Sequence, residues 1–553
     1  MKQTLIEYVI SRLNLLGITN IFGVPGDYSF PINGAICEDK RFRWIGTCNE
    51  LNASYAAGGY ARIKGLAALC TTQGVGELSA INGIAGAYSE YLPIFHLVGM
   101  QPSTTWKSHV YMHHTLGTEE HDVFFKMSKY VYCAQAILTP ENCISEMERL
   151  IGAALYNWRP VYIGIPKDYA SSMIQENVSI TKNNTMYIKS DSSSAVRAVV
   201  TAIVEVVQKA KTVCILPGIL ISRLGLYDTA LALLNRSGLV FASTPMDKGV
   251  LDEMHPSYIG MYFGHYGDPE VYSFVESCNC ILNLGVMMTE INTGRFTSKL
   301  DFSKVIDIMH HHVRIGSSIF QGVEMKDVLQ ELAKHLSPRC TNVKTLDVRD
   351  LGLPKGSPDD PIKVEYLYPR LAQFFKPADT IIVDVGTSFL PLIYARLPAR
   401  ATFHNSSLWA SIGWATPAAF GASLANSEQR RTILITGDGA HQMSVQEISQ
   451  FPSHRLKPII FVLNNGGYLI ERIIGGSKID TCNDVASWDY HELPKAFGCS
   501  DWFTAKVTTC GELDQAMRII ERCETGAYIE IVTGREFAAF MSEFYRLSIQ
   551  MLH

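Results

Sequence analysis

Two short stretches in the last quarter of the chain carry the residue types best suited to chemistry. TILITGDGAHQ sets Asp438 between two glycines at the end of a β-branched, apolar run, and IIFVLNNGGYLIER sets Asn464 and Asn465 at the end of a second such run. Asp438 and Asn465 are 27 residues apart. Such runs read as buried parallel strands. Between them SVQEISQF puts Val445, Ile448 and Phe451 on one helical face, so the whole segment reads as a βαβ crossover. The crevice outside the carboxyl ends of the strands is the usual ligand site of an open α/β sheet. A carboxylate and a carboxamide oxygen side by side there suit Mg2+, a hard cation that takes its remaining ligands from water and phosphate. Glycines at 437, 439, 466 and 467 let the backbone approach a diphosphate closely, and a helix N-terminus adds N–H donors. Either stretch alone is also an ordinary turn composition; the pair at this spacing inside one crossover is specific.

Other residues are ambiguous singly. In RWIGTCNELNASYAAGGYARIKG, Glu50 follows a strand and heads an alanine- and glycine-rich helix, where a carboxylate also simply suits the helix dipole. Asp27 lies in the loop GVPGDYSF, and His113 and His114 lie in HHTLG; a loop aspartate is often a turn residue and a histidine pair is often structural. The run His310, His311, His312 follows the strand VIDIM, where adjacent side chains point in different directions, so it reads as structural rather than as a metal site.

The elements that must position these residues fall into three blocks, 1–180, 190–340 and 360–553, separated by a polar, serine-rich stretch at 179–195 and a turn-rich one at 337–361. Each block alternates helical patterns with short β-rich runs. WIGTC, PIFHLVGM and VYIGIP are in the first, TVCILPG, LVFAS, CILNLGV and VIDIM in the second, and TIIVDVG, TILIT and IIFVLNN in the third. The fold class is α/β, with three parallel sheets flanked by helices. At 553 residues the chain buries several cores, and its net charge of −5 without a basic run gives no case for nucleic acid or an anionic membrane surface. No apolar stretch suits a membrane span, and Glu7 and Arg12 sit where a signal peptide would be apolar. Thirteen scattered cysteines without a CxxC pair suit buried free thiols in a reducing cytoplasm.

GVPGD, CNELNA, TTQGVGELSAINGIAGAYSE, HHTLG, WASIGW, GDGAHQMSVQEIS and NNGGYLIE occur in that order over nearly the whole chain. The sequence thereby resembles the thiamine-diphosphate-dependent 2-oxo acid decarboxylases, the group of pyruvate, indolepyruvate and phenylpyruvate decarboxylases. The resemblance implies an N-terminal pyrimidine-binding domain, a central domain and a C-terminal domain for the diphosphate and Mg2+, with active sites between subunits of a homodimer or homotetramer. Carried over, Asp438, Asn465 and the carbonyl of Gly467 hold Mg2+, while Thr387 and the backbone at Gly439 and Ala440 meet the diphosphate. Glu50 hydrogen-bonds the pyrimidine ring, the carbonyl of Ala410 contacts the aminopyrimidine, and Ile412 is the apolar wedge that folds the cofactor. Asp27, His113, His114 and Glu471 form the acid–base set. The reaction implied is non-oxidative decarboxylation of a 2-oxo acid to an aldehyde through the thiazolium ylide, an electron sink that no side chain can supply. A clustered, buried set of carboxylates with perturbed protonation is expected.

The His-His pair with Glu471 favours aldehyde release over the ligation chemistry of related carboligases. Ala410 departs from the family's glycine, and its methyl matters if the backbone there needs positive φ. Glu119, Glu120 and His121 read as solvated surface. Val385, Phe389, Leu390 and Ile470 are expected to line the substrate pocket, with Phe537, Phe540 and Met541 as lid residues; Phe389 either stacks on an aromatic substrate or blocks it. A nucleotide-binding oxidoreductase is disfavoured because no GxGxxG opens a helix after a strand. A catalytically silent homologue would be expected to have lost Glu50, Glu471 or the metal ligands.

Overall fold

A computed structural model describes residues 3–108, 110–174, 189–339, 350–427, 429–475, 481–535 and 537. Most of the first inferred linker and the central part of the second lie outside these residues. Three sheets form. The first contains β1 (Asn20–Gly23), β2 (Arg43–Gly46), β3 (Ala67–Thr72), β4 (Ile94–Met100), β5 (Ala134–Ile137) and β6 (Val161–Pro166), in the order β2-β1-β3-β4-β6-β5, all parallel. Strands β3, β4 and β6 are buried along their whole length, which is why they read as continuous apolar runs. The first helix, Leu5–Leu15, opens with a capping box between Thr4 and Glu7.

The second sheet contains β7 (Val213–Pro217), β8 (Val240–Ser243), β9 (Tyr258–Met261), β10 (Cys280–Leu284), β11 (Val305–Ile308), β12 (His312–Ile315) and β13 (Ser318–Gln321). Its order is β13-β12-β11-β10-β7-β8-β9, a parallel core with an antiparallel hairpin, β12–β13, added at one edge. The third contains β14 (Thr380–Val383), β15 (Thr402–His404), β16 (Thr432–Gly437), β17 (Ile459–Asn464), β18 (Phe503–Val507) and β19 (Ala527–Val532), ordered β15-β14-β16-β17-β19-β18 and all parallel. The first and third sheets therefore share one strand order, and in each the chain reverses its direction of growth at the pair β1/β3 or β14/β16. Such a reversal opens a crevice at the carboxyl ends.

The crossover from β16 to β17 is parallel, as the sequence predicts, but it is not one regular helix. A short helix, Asp438–Gln442, is followed by a 3-10 segment, Val445–Ser449, and a single α-turn, Gln450–Ser453. Val445, Ile448 and Phe451 are nevertheless all buried.

By compactness the chain forms two units, one of Met1–Ile188 with Thr416–Asn426 and Ser444–Leu456, the other of Lys189–Ala415, Ser427–Met443 and Lys457–His553. Inside the first unit, helix Glu50–Lys64 meets helix Ala415–Ala425 at glycines. A Cβ on Gly59 would lie 2.1 Å from the Ala418 carbonyl oxygen, and one on Gly421 would lie 1.8 Å from that of Ala56. Only glycine allows backbones this close. Every described cysteine is free, and no described helix is long and apolar enough to cross a membrane.

Candidate active site

A cleft opens at the carboxyl ends of β14, β16 and β17, where the third sheet reverses its order. Val385, Thr387, Ile412, Asp438, Gly439, Ala440, Asn465, Gly467, Ile470 and Glu471 line it, ten residues singled out in the sequence and gathered here from four separate segments. Gly437 is the N-cap of helix Asp438–Gln442, so the acidic residue begins a helix rather than sitting in a free turn. A Cβ at Gly439 would lie 2.5 Å from the Tyr468 ring, so glycine is needed for this packing.

Asp438 ties two strand ends together. Its Oδ1 accepts from the Gly439 N–H at 2.8 Å, and its Oδ2 accepts from the N–H groups of Asn465, Gly466 and Gly467 at 3.1, 2.6 and 3.0 Å. Burial pushes its carboxyl above the ordinary range, against these backbone donors. The adjacent asparagines diverge. Asn464 donates to Glu530 at 2.8 Å, whereas Asn465 is buried and its Oδ1 has no hydrogen-bond partner among the described residues. A buried acceptor left unpaired is costly, and beside a buried carboxylate it is the donor set that a hard divalent cation satisfies. Arg472 fixes the loop from behind, donating to the carbonyls of Asn465 and Gly466 at 3.3 and 2.6 Å and pairing with Asp484 at 2.7 Å.

Asp384, immediately after β14, was not singled out in the sequence. It is fully buried, and burial pushes its carboxyl up to about 7 against hydrogen bonds from Thr436, Gly413, Ala415 and Val385. Thr436 Oγ1 and the Gly413 N–H donate to its Oδ2 at 3.1 and 3.2 Å, while its Oδ1 has no partner among the described residues. Asp384 thus anchors the loop that projects Ile412 into the cleft. The signal was available, since Asp384 follows a β-branched run just as Asp438 does. On the same loop Ala410 adopts φ 57°, a left-handed conformation that favours glycine, and its side chain is exposed.

The first unit carries the other set. Asp27 follows β1 and its Oδ2 accepts from His113 Nε2 at 3.1 Å, and Tyr28 stacks on the His113 ring at 4.8 Å while its hydroxyl lies 3.2 Å from Nδ1. His114 has φ 58°, and its Nδ1 is buried with no hydrogen-bond partner among the described residues. Its carbonyl oxygen approaches Gly74 so closely that a Cβ there would lie 2.4 Å away. Glu50 is the first residue of helix Glu50–Lys64, and its Oε1 lies beside Gly76. The turn bearing Glu50 is held by Glu447, which accepts from the Cys48 N–H at 3.2 Å and from Asn52 Nδ2 at 2.9 Å.

Four expectations are corrected. Phe389 and Leu390 are 2% and 5% exposed and belong to the core rather than the cleft wall, because the short helix Phe389–Leu392 turns them inward, with Phe389 6.2 Å from the Phe403 ring. Phe537 is likewise core, against Tyr368, while Phe540 and Met541 lie outside the described residues. His121 is buried, with its Nδ1 2.5 Å from Gln101 Nε2, although Glu119 and Glu120 are exposed. The carboxylates pushed up to about 7 by burial are Glu77, Asp247, Asp384 and Glu447, none of them in the expected acid–base set; the Asp27 and His113 side chains are 37% and 56% exposed.

The chain matches the thiamine pyrophosphate enzyme N-terminal TPP binding domain over residues 3–122, the central domain over 200–336 and the C-terminal TPP binding domain over 384–531. Pyruvate decarboxylase isozyme 1 of Saccharomyces cerevisiae is 35% identical over 521 residues, covering 93% of this chain and 92% of that one. An alpha-keto-acid decarboxylase of Mycobacterium leprae is 34% identical over 536 residues, covering 96% and 92%. In fold, the chain is similar to the crystal structure of benzoylformate decarboxylase from Polynucleobacter necessarius, with a TM-score of 0.78 over 97% of this chain and all of that one at 19% identity.

Proposed function

The chain belongs to the thiamine-pyrophosphate-dependent 2-oxo acid decarboxylases, and from that premise we propose that the cleft at β14, β16 and β17 holds the diphosphate of thiamine diphosphate through a Mg2+ ion. The observation that carries this reading is the buried Oδ1 of Asn465, without a hydrogen-bond partner among the described residues, beside Asp438 in that cleft. Asp438, Asn465 and the Gly467 carbonyl would hold the ion. Thr387 and the backbone around Gly439 and Ala440 would meet the diphosphate. Ile412 supports the folded cofactor, positioned by Asp384 through the loop that includes Ala410.

Thiamine diphosphate, when bound, supplies the electron sink for loss of CO2 from the 2-oxo acid. The residues of the chain then handle protons and exclude water. Glu50 would hydrogen-bond the pyrimidine ring nitrogen. Asp27 orients His113 through their 3.1 Å contact, and Tyr28 fixes the same ring from its face. His114 and Glu471 complete the acid–base set, each positioned group of this kind contributing ~10²–10⁴-fold. Val385 and Ile470 present an apolar wall, which suits a 2-oxo acid with an apolar side chain from the range of pyruvate, branched-chain, phenylpyruvate and indolepyruvate. Since one methylene is worth ~1–3 kcal/mol of discrimination, we expect a range with a preferred member. Phe540 is proposed as a lid residue. We further infer a cytoplasmic homodimer or homotetramer with active sites between subunits.

The test is reconstitution with thiamine diphosphate and Mg2+, followed by aldehyde release through a coupled alcohol dehydrogenase with the four substrate types side by side. Cofactor-dependent aldehyde is the expected result. Cofactor binding without aldehyde from any of them would overturn the assignment in favour of ligation or a silent homologue.

A further inference from the structure

The central sheet carries a second constellation, remote in sequence from both sets above. Three residues, His310, His311 and Glu324, bring one potential ligand atom each to within 4.8 Å of one another. The divergence expected for adjacent strand residues does not apply to this pair, because β11 ends at Ile308 and β12 begins at His312, leaving His310 and His311 in the turn. Their ring centroids are 3.8 Å apart. His312, on the strand, is not part of the group.

We propose that this turn, together with Glu324, forms a site for a divalent transition-metal ion, with Zn2+ the best fit. Imidazole and carboxylate are the ligand types that Zn2+ takes, and a tetrahedral site with bonds of ~2.0–2.1 Å separates neighbouring ligand atoms by ~3.3 Å. His311 Nδ1 lies 2.9 and 3.1 Å from the two Glu324 oxygens, so a few tenths of an ångström of opening admits the ion. The backbone is already fixed. The Gly322 N–H donates to the His311 carbonyl at 3.0 Å, the Met325 N–H to the His310 carbonyl at 3.4 Å, and the Met309 N–H to the His312 carbonyl at 2.9 Å.

Glu324 supports the assignment independently. It is the N-cap residue of helix Met325–His335, yet its side chain makes no cap hydrogen bond and turns towards the histidines instead. Its side chain is 8% exposed, and its own N–H is held by Ser190 Oγ at 2.9 Å. A buried carboxylate held against imidazole is a ligand pair suited to a divalent cation. An ion there would clip the β11–β12 turn to the helix and keep a fourth position for water, with both imidazoles neutral when bound.

The experiment uses the full chain, stripped with chelator and reloaded with thiamine diphosphate and excess Mg2+, then titrated with Zn2+ against a chromophoric competitor. One Zn2+ per chain at sub-micromolar affinity is expected. That equivalent should disappear in the double variant His310→Gln, His311→Gln and weaken at least about tenfold in Glu324→Gln. Asp27, His113 and His114 also place ligand atoms within 4.8 Å of one another, so His113→Gln serves as the discriminating control and should keep the ion. Zinc absorption-edge spectra of the His113→Gln variant that still show two imidazole nitrogens would support the site without relying on the folding of the double variant. No sub-micromolar equivalent in the wild type, or one that survives the double variant or is lost only with His113→Gln, would overturn the proposal.

Discussion

Removing the Asp384 carboxylate tests whether one buried acid holds the cofactor loop. In Asp384→Ala the amides of Gly413 and Ala415 lose their acceptor, and so does Thr436. Two of these hydrogen bonds run to the loop that carries Ile412. Bonds to a carboxylate are worth ~1.5–3 kcal/mol each, and the lower figure applies because burial brings this group's titration near neutrality. About 3 kcal/mol then favours the ordered loop, so disordering it should weaken thiamine diphosphate binding by about 100-fold. Asp384→Asn keeps one acceptor oxygen for Gly413 and Thr436 and puts its amide where Oδ1 already lacks a partner. Its cost should be about 1 kcal/mol, or roughly fivefold. Trp409 and Trp414 flank the loop, one 39% exposed and the other 4%, so cofactor titration followed by tryptophan fluorescence reports on it, with calorimetry as a check. If Asp384→Ala binds the cofactor within about twofold of wild type with unchanged far-ultraviolet circular dichroism, or if the Asn variant is as weak as the Ala one, Asp384 does not position the loop.

Three other outcomes follow from the same geometry. Asn465→Ala removes an acceptor that has no partner among the described residues, so the apo protein should keep its urea midpoint while Mg2+-dependent cofactor affinity falls at least about tenfold; equal affinity in calorimetry would remove Asn465 from the metal set. Ala410→Gly relieves a left-handed L-residue worth ~1–2 kcal/mol and returns ~0.4–1 kcal/mol of unfolded-chain entropy, so the variant should match or exceed the wild type in thermal denaturation; a clear loss of stability would show that the methyl contributes packing. Glu77, Asp247, Asp384 and Glu447 have folded pKa values raised to about 7 from ordinary values of 3.8 or 4.5. The folded chain binds more of these protons between those limits, so their stabilising contribution is whole below the ordinary values and is lost as pH rises through about 7. Urea midpoints should therefore decline across that window, and Asp384→Asn should flatten the decline; a slope unchanged in the variant would mean that Asp384 does not titrate there.

Much of the cleft was legible because strand ends are local features. A β-branched run that stops at a glycine or an acid marks both the element and the residue that faces the crevice, which is how Asp438 and Asn465 were found. Asp384 carried the same mark and was passed over because its role depends on amides at 413 and 415, far along the chain. The hairpin β12–β13 lacks a continuous apolar run, and β13 is mainly exposed, so periodicity had little to register. Phe389 and Leu390 were apolar in a pocket-forming segment, but one turn of helix decides between pocket and core, and boundaries are the weakest part of a sequence reading. His121 is covered by Gln73 and Gln101 from other strand ends, a burial that no window around residue 121 contains.

The glycine crossing of helices Glu50–Lys64 and Ala415–Ala425 bears on how the molecule comes into being. The compact unit that contains the first sheet is not finished when residue 188 leaves the ribosome; it needs Thr416–Asn426 and Ser444–Leu456. Until then the small-residue face around Ala56 and Gly59 lacks its partner, and the turn bearing Glu50 lacks Glu447. Contacts of such sequence separation must wait for the loop between them to close, which makes them late and leaves surface exposed during synthesis. The nascent N-terminal sheet is therefore a natural client for a chaperone, and a chain severed between the two units' segments would not separate into independently folding halves.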